Sequence, residues 1–505
     1  MVKKQIGDDL IKVVDKTDRD NLVTILAWGD EVDLIDESDP QFNEIKTFWY
    51  KDVDDTNFER IEVLGLIDKK VVLKDPNELK ILKTSFVDVQ QGDGICIETP
   101  KGRKILIDGG DNVLFARYLA QRFIGSSKAN PLIVDAMIVT HGDADHFAGL
   151  TEIQKSETHS QPRKRLFIRP IRIFHNGIVK GPSSSNGRSI PDQEILGKTE
   201  MKNNKLYLTE IIDDLLQMPA KRLNKPFKEW VQAIKVWLNN GNSGEPLHIR
   251  RLQFGDDSQF SFLHDEDIEI KVLGPFTEQI SGRPALPMLT QPPKQIAIEM
   301  EDDLKGTSKS YSASHTINGH SIVLQMKYGN VRFLLTGDLN QESSLELQAR
   351  MHNGGLNLES EIFKVPHHGS ADFSHTFIDK VKPVVSIISS GDENARKEYI
   401  HPRATIVGSL GRYSRVPRPL IFVTEMVAFF QYLGSSELKK SESSLYKAGY
   451  KYYGFKRSSF GIVHVRTDGK RVFVFTHSGK RDMKEAYAFK VDGVGEIETV
   501  KVTMK

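Results

Sequence analysis

"THGDADHFAGL", residues 140–150, brings His141, Asp143, Asp145 and His146 into one short run. Carboxylates as close as Asp143 and Asp145 repel each other unless a cation sits between them. The stretch directly before it, "VDAMIVT" (134–140), is an apolar run that reads as a buried strand. The four side chains then leave the strand end on a loop and project into one concave site. Such a loop serves two cations, with His141 and Asp143 on one and Asp145 and His146 on the other. Further groups of the right chemistry come later in the chain. They are Asp338 in "LLTGDL", His367 and His368 in "VPHHGS", and His320 in "NGHS". A carboxylate such as Asp338 can bridge two metals about 3.5–4 Å apart.

The chain outside this stretch sets limits on the reading. Its 505 residues suffice for more than one domain. Lys+Arg number 69 against 68 Asp+Glu, so no global field draws the chain to nucleic acid or membrane, and affinity for phosphate must come from a local patch. Cys96 is the one cysteine, which excludes an internal disulfide and a thiolate zinc cage. It fits a reducing compartment, and a cytoplasmic location is expected. The amino terminus "MVKKQIGDDLIKVV" has no long apolar core, so no secretory signal is expected. No uncharged apolar run is long enough to span a bilayer, so no membrane partner is expected.

Three regions follow from the strand and helix grammar. Residues 1–78, with "NLVTILAWGDEVDLIDE" and "FERIEVLGLIDKKVVL", alternate as short strands and read as a small SH3-like β-barrel, a possible protein-partner domain. Residues 83–414 alternate strands and helices, from "TSFVDVQQGDGICIET", "RKILIDGG" and the helix "NVLFARYLAQRF" to "IEIKVLGP", a hairpin turning at Gly-Asn, and "PVVSIISSG". A helical insertion at about 155–255 is expected to cover the site, with helices at "LTEIIDDLLQMPAKRL" and "KEWVQAIKVWLNNG". Residues 415–505 form an extension that completes or flanks this domain. A helix is expected at "FVTEMVAFFQYL", a surface loop at "GSSELKKSESS", and a hairpin turning at Asp-Gly in "RTDGKR".

"FVDVQQGDGICIE", "ILIDGG", "THGDADH", "NGHSIVLQMKYG", "FLLTGD", "VPHHGS" and His401-Pro402 occur in an order that resembles metallo-β-lactamase-fold hydrolases, and within them the ComEC-like branch. The resemblance covers roughly residues 83–410. It implies an α/β fold, a four-layer αββα sandwich with a two-metal site at one edge, and phosphodiesterase or nuclease activity. It places the ligands on His141, Asp143, Asp145, His146, Asp338 and one of His367 and His368. Asp108 falls on the supporting aspartate that orients ligands. Asp143 stands where most relatives have histidine, and a carboxylate there favours harder ions, so manganese or magnesium competes with zinc. His320 lies near the place of a mid-chain histidine ligand, and His401 falls on a substrate-proximal position.

The expected activity is therefore metal-dependent hydrolysis by two divalent ions (Zn or Mn, with Mg as a further option), with nucleic acid as the substrate. Asp145, His146 and His368 are the candidate catalytic groups, with Asp145 or a histidine of the "HHGS" pair relaying a proton to the leaving oxygen. Arg163, Lys164, Arg165, Arg169 and Arg172 alternate with apolar residues just after the metal loop and are read as phosphate contacts. Two other readings are open: hydrolysis of a small ester, lactone or thioester, and a binding module with structural metals.

Overall fold

The computed structural model describes residues 2–54, 57–76, 78–185, 187–240, 246–291, 310–391, 401–427, 429–437, 451–459, 461–477 and 485–505. Two sheets lie face to face at its centre. The larger has ten strands, in the order 248–251, 172–175, 136–139, 104–107, 95–98, 82–87, 462–467, 471–477, 486–491 and 497–500. The smaller has six: 268–274, 323–328, 331–335, 362–364, 385–388 and 420–423.

Alternation along each strand decides what each face packs against. Ile105 and Ile107 point into the core between the sheets, where they join Ile138, Phe174, Leu324, Phe333, Leu335, Ile362 and Ile387. Leu106, Met137 and Val139 point the other way, into a core shared with Phe115, Leu119, Phe147, Leu150 and Trp230. Those five residues come from the helices Leu114–Arg122, Ala144–Ser156 and Lys225–Asn240. On the far side, Leu334, Phe363 and Ile388 meet Leu347, Phe377, Ile406 and Leu410. These belong to the helices Gln341–Gly354, His375–Val381 and Ala404–Tyr413. The result is the four-layer αββα arrangement expected.

Strands 104–107, 136–139, 172–175 and 248–251 run parallel, as do 331–335, 362–364, 385–388 and 420–423. Their carboxyl ends meet along one edge, the place where open parallel sheets gather functional groups. Both expected hairpins form: Tyr328 pairs with Val331 around Gly329-Asn330, and Thr467 with Val472 beyond Asp468-Gly469.

The N-terminal region is β-rich. Its seven strands form a sheet of their own around Ile6, Ile11, Val13, Ile45 and Ile67. It also docks on the C-terminal strands, since Leu10, Ile25, Trp28 and Ile81 share a core with Phe473, Phe475 and Ala488. The Arg466 guanidinium donates to Asp30 Oδ1 at 2.6 Å and to the Trp28 carbonyl, tying the two regions together.

Several local expectations are corrected. The region 155–255 is not wholly an insertion, because Arg172–His175 and His248–Arg251 are strands of the ten-stranded sheet. "LTEIIDDLLQMPAKRL" forms no α-helix. It breaks into 3₁₀ turns at Leu215–Gln217 and Ala220–Arg222 with Pro219 between them, whose ring cannot continue a helix. The helix expected at "FVTEMVAFFQYL" is a single turn, Thr424–Val427, followed by the strand Phe429–Glu437. Its run of aromatic residues suits a strand better. The loop reading at "GSSELKKSESS" falls for residues 438–444 outside the described residues.

His175 ends its strand buried, with Nε2 facing the Asp213 carbonyl at 3.2 Å and Nδ1 accepting from Gly177 N at 3.1 Å. One nitrogen thus donates and the other accepts, so the ring is neutral, and burial pushes its pKa down to about 4. The unfolded chain takes up this proton first as pH falls through about 6.5. His175 therefore contributes stability above that pH that is lost on acidification toward pH 4, by up to about 1.4 kcal/mol per pH unit. Urea unfolding at pH 7, 5.5 and 4.5 is expected to show a shallower pH dependence for His175→Gln than for the native chain.

Candidate metal centre

Thr140 and His141 leave the strand Ala136–Val139 at its carboxyl end. Asp143 then takes the position before the first turn of the helix Ala144–Ser156, with extended backbone (φ −88°, ψ 145°). The expected loop is thus shorter than read, because Asp145 and His146 already lie in the helix. Gly149 lets this helix press against the "DGG" turn, where a Cβ would stand 1.8 Å from the Gly109 carbonyl oxygen.

Asp108, buried at the end of the neighbouring strand, organises the pair of histidines. It accepts from Thr140 N at 2.8 Å and Thr140 Oγ1 at 2.6 Å, and its Oδ2 lies 2.8 Å from His146 Nδ1. Burial pushes the Asp108 carboxyl up, and His146 beside it pulls it back only in part. Because Thr140 Oγ1 spends its hydrogen on Asp108, it can accept from His141 Nδ1, 3.1 Å away.

His367 and His368 follow the strand Ile362–Lys364 with left-handed backbone at both residues, φ 47° and 53°. Non-glycine residues hold such angles only where the surroundings impose them. His368 Nδ1 lies 2.9 Å from the Ser389 carbonyl, an acceptor, so this nitrogen carries the hydrogen.

The consequence is a convergence of possible ligand atoms. Nδ1 is the donor in His141, His146 and His368, so Nε2 is the ring atom that each turns toward the centre. All three point at one carboxylate oxygen, Asp338 Oδ2, at 3.9, 3.3 and 3.1 Å respectively. Nε2 of His146 and of His368 makes no hydrogen bond. Burial lowers the imidazoles of His146 and His368, but Asp338 outweighs it and raises both, so the space between these nitrogens and the carboxylate favours positive charge, whether protons or a divalent cation. Burial raises the Asp338 carboxyl, but His368 and His146 outweigh it and hold it well below the usual carboxylate range. Burial holds His141 well below the usual imidazole range, so this group is available as a neutral donor.

Two overlapping groups have ligand geometry, His141–His146–Asp338 and Asp145–His146–His368, each with its donor atoms within 4.8 Å of one another. A third group, Asp93–Asp108–His146, lies behind them. The donor set of imidazole nitrogens and carboxylates fits a divalent cation.

The other candidates make other contacts, some within the same cleft. Asp143 is not part of either group, since its Oδ1 accepts from Lys180 Nζ at 2.7 Å. His320 points away, its Nε2 lying 2.8 Å from the Pro287 carbonyl. His367 and His401 line the cleft over the centre, their rings 5.9 Å apart. The basic segment does not line the cleft. Arg169 pairs with Ile133, and Arg172 precedes Ile173, the partner of Met137, so both sit at the amino ends of the parallel strands. Arg172 stacks over Phe262, and Arg165 Nε donates to the His159 carbonyl at 2.5 Å. Arg163 and Lys164 lie in the adjoining 3₁₀ turn, past the far end of the helix Ala144–Ser156.

Two residues escaped the sequence reading. Lys364 is buried in the strand Ile362–Lys364, where its Nζ bonds the Gly337 carbonyl at 2.9 Å and pairs with Asp93. It also lies 3.8 Å from Asp338 Oδ1. Asp93 in turn stands 3.7 Å from His368 Nδ1 and 3.9 Å from His146 Nδ1. The available signal was a lone lysine inside the apolar run "EIFKVP".

Fold and site together define a metallo-beta-lactamase domain, and residues 88–167 match the metallo-beta-lactamase superfamily. Part of the chain is also similar to two competence proteins. It is 36% identical over 98 residues to ComE operon protein 3 of Bacillus subtilis (strain 168), which covers 19% of this chain and 12% of that protein. It is 36% identical over 90 residues to Competence protein ComA of Neisseria gonorrhoeae, covering 18% of this chain and 12% of that one. The similarity therefore spans about an eighth of each relative. Among the described residues no helix is long and apolar enough to cross a membrane.

Asp108→Asn tests the support behind the ligands. The amide keeps the shape but presents an NH₂ group to the Thr140 or His146 donors, so it unsettles the orientation of the His146 ring. Metal affinity is expected to fall about 10–100-fold. Competition with a chromogenic chelator measures it.

Proposed function

We propose that this chain is a metal-dependent phosphodiesterase acting on nucleic acid. The observation that carries the metal centre is the set of three Nε2 atoms turned on Asp338 Oδ2. We assign His141, His146, His368, Asp338 and Asp145 as the groups that hold two divalent ions. The carboxylate share favours manganese or magnesium beside zinc. Bound there, the ions would act as Lewis acids on a phosphate oxygen and ready a water molecule for attack.

The chain's own residues supply the rest. Asp108 and Thr140 fix the rings of His146 and His141. Gln91 Nε2 donates to Asp145 Oδ2 at 3.3 Å and steadies a carboxylate at the cleft floor. Burial holds His367 below the usual imidazole range, so it is neutral near pH 7 and able to exchange a proton at the cleft. The similarity to competence proteins turns the reading toward nucleic acid.

A second reading has its own support. The cleft of about 660 Å³ is lined by Asp111, Asp143, Asp145, Asp338 and Asp372, and the basic segment lies elsewhere. A small uncharged ester or lactone would enter such a cleft without repulsion. Purified protein loaded with manganese, offered single-stranded DNA, duplex DNA, RNA, a chromogenic phosphodiester and an aryl ester, separates the two. Turnover of the ester alone would overturn the phosphodiesterase reading.

A further inference from the structure

Lys180 follows the strand Arg172–His175 by a short loop and comes to the wall of the cleft beside Asp143. Its Nζ donates to Asp143 Oδ1 at 2.7 Å and to Ser314 Oγ at 3.3 Å. The other Asp143 oxygen lies 3.1 Å from the Asn318 amide nitrogen when that amide is turned to face its acceptors. An ammonium carries three hydrogens. Two are accounted for by these contacts, and a quarter of the side chain stays exposed (25%).

Among the described residues lining the cleft, Lys180 is the one lysine or arginine, against five aspartates. A phosphodiester entering this cleft meets repulsion from every carboxylate that no metal neutralises. A compact, strongly hydrated ammonium can hold a phosphate oxygen as a point charge. Resting on the phosphodiesterase reading above, we infer that Lys180 binds a non-bridging oxygen of the substrate phosphate. Asp143 and Ser314 are its positioning partners. The aspartate that the sequence motif offers to a metal here anchors the ammonium of the cleft wall. An uncharged ester gains nothing from the same ammonium, so Lys180 determines specificity for charged substrates.

The test uses the full chain loaded with manganese, as native protein, Lys180→Met and Lys180→Arg, each checked for folding by thermal melting. KM and kcat are measured on bis(p-nitrophenyl) phosphate and on p-nitrophenyl acetate. Affinities for inorganic phosphate and for acetate are measured by calorimetry, and metal content by elemental analysis. Loss of one charge-assisted contact is expected to raise KM for the phosphodiester about tenfold in Lys180→Met and to weaken phosphate binding by a similar factor. Phosphodiester kcat, ester hydrolysis and metal content stay near native values, and Lys180→Arg recovers most of the KM. An unchanged phosphodiester KM and phosphate affinity overturns the inference, as does metal loss that accounts for the defect. If the native protein cleaves no phosphodiester, the phosphodiesterase reading fails. The calorimetry then still decides on Lys180: phosphate affinity lost in Lys180→Met upholds the contact. Unchanged phosphate affinity, or tighter binding of acetate than of phosphate, overturns it.

Discussion

His146→Ala is expected to empty the metal centre and to lower hydrolysis by ~10³-fold or more, with the fold still standing. His146 is the one residue common to all three candidate ligand groups. Its Nε2 faces Asp338 while its Nδ1 is fixed by Asp108. Alanine removes both contacts and still suits the first turn of the helix Ala144–Ser156, because alanine has the best intrinsic helix propensity. Elemental analysis after manganese loading and turnover of a chromogenic phosphodiester are the two readouts. Native metal content in the folded variant would show that His146 is not a ligand. Asp145→Ala gives the companion result. Asp145 contacts the cleft rather than the core, so turnover should fall with little change in melting temperature.

Lys364→Met is expected to have the largest effect on stability, about 3–5 kcal/mol, the usual cost of stranding one member of a buried ion pair. The side chains of Lys364 and Asp93 are 1% and 2% exposed, so water cannot take over the lost interaction. Asp93 Oδ1 already lacks a hydrogen bond, which leaves the carboxylate little other support. The melting temperature should drop by about 5 °C. Adding Asp93→Asn removes the stranded charge and should recover most of that loss. Thermal denaturation of the two single variants and the double variant provides the cycle. A Lys364→Met melting temperature within ~2 °C of native would mean that the pair does not hold this part of the core.

Parts of this site were readable before any coordinates. His141, Asp145 and His146 lie within one short run after an apolar strand, and Asp108, Asp338 and His368 each follow a strand of their own. In a parallel sheet, groups just past strand ends come together at one edge whatever their separation in sequence. Asp93 and Lys364 lacked such a signal. Asp93 reads as an ordinary charged residue and Lys364 only as a lone lysine in an apolar run, and their pairing joins the turn between strands 82–87 and 95–98 to strand 362–364 of the other sheet. The basic segment misled for the opposite reason. It follows the metal loop closely in sequence, but the 13-residue helix Ala144–Ser156 carries the chain about 20 Å away before Arg163 is reached. The chain then re-enters the sheet at the amino ends of its strands.

The sequence by itself determined the layered α/β architecture, because period-two apolar strands and apolar-faced helices admit few ways of burying both. It also determined the chemistry of the centre, because imidazoles and carboxylates at strand ends suit divalent cations. Only the tertiary structure decided how those groups are shared out. It turned His320 toward the Pro287 carbonyl, committed Asp143 to Lys180, and set Lys364 beneath Asp338. The physical reason is that a side chain's role depends on which lone pairs and charges face it across the core. Those neighbours come from elements distant in the chain, through packing that no local pattern of residues encodes.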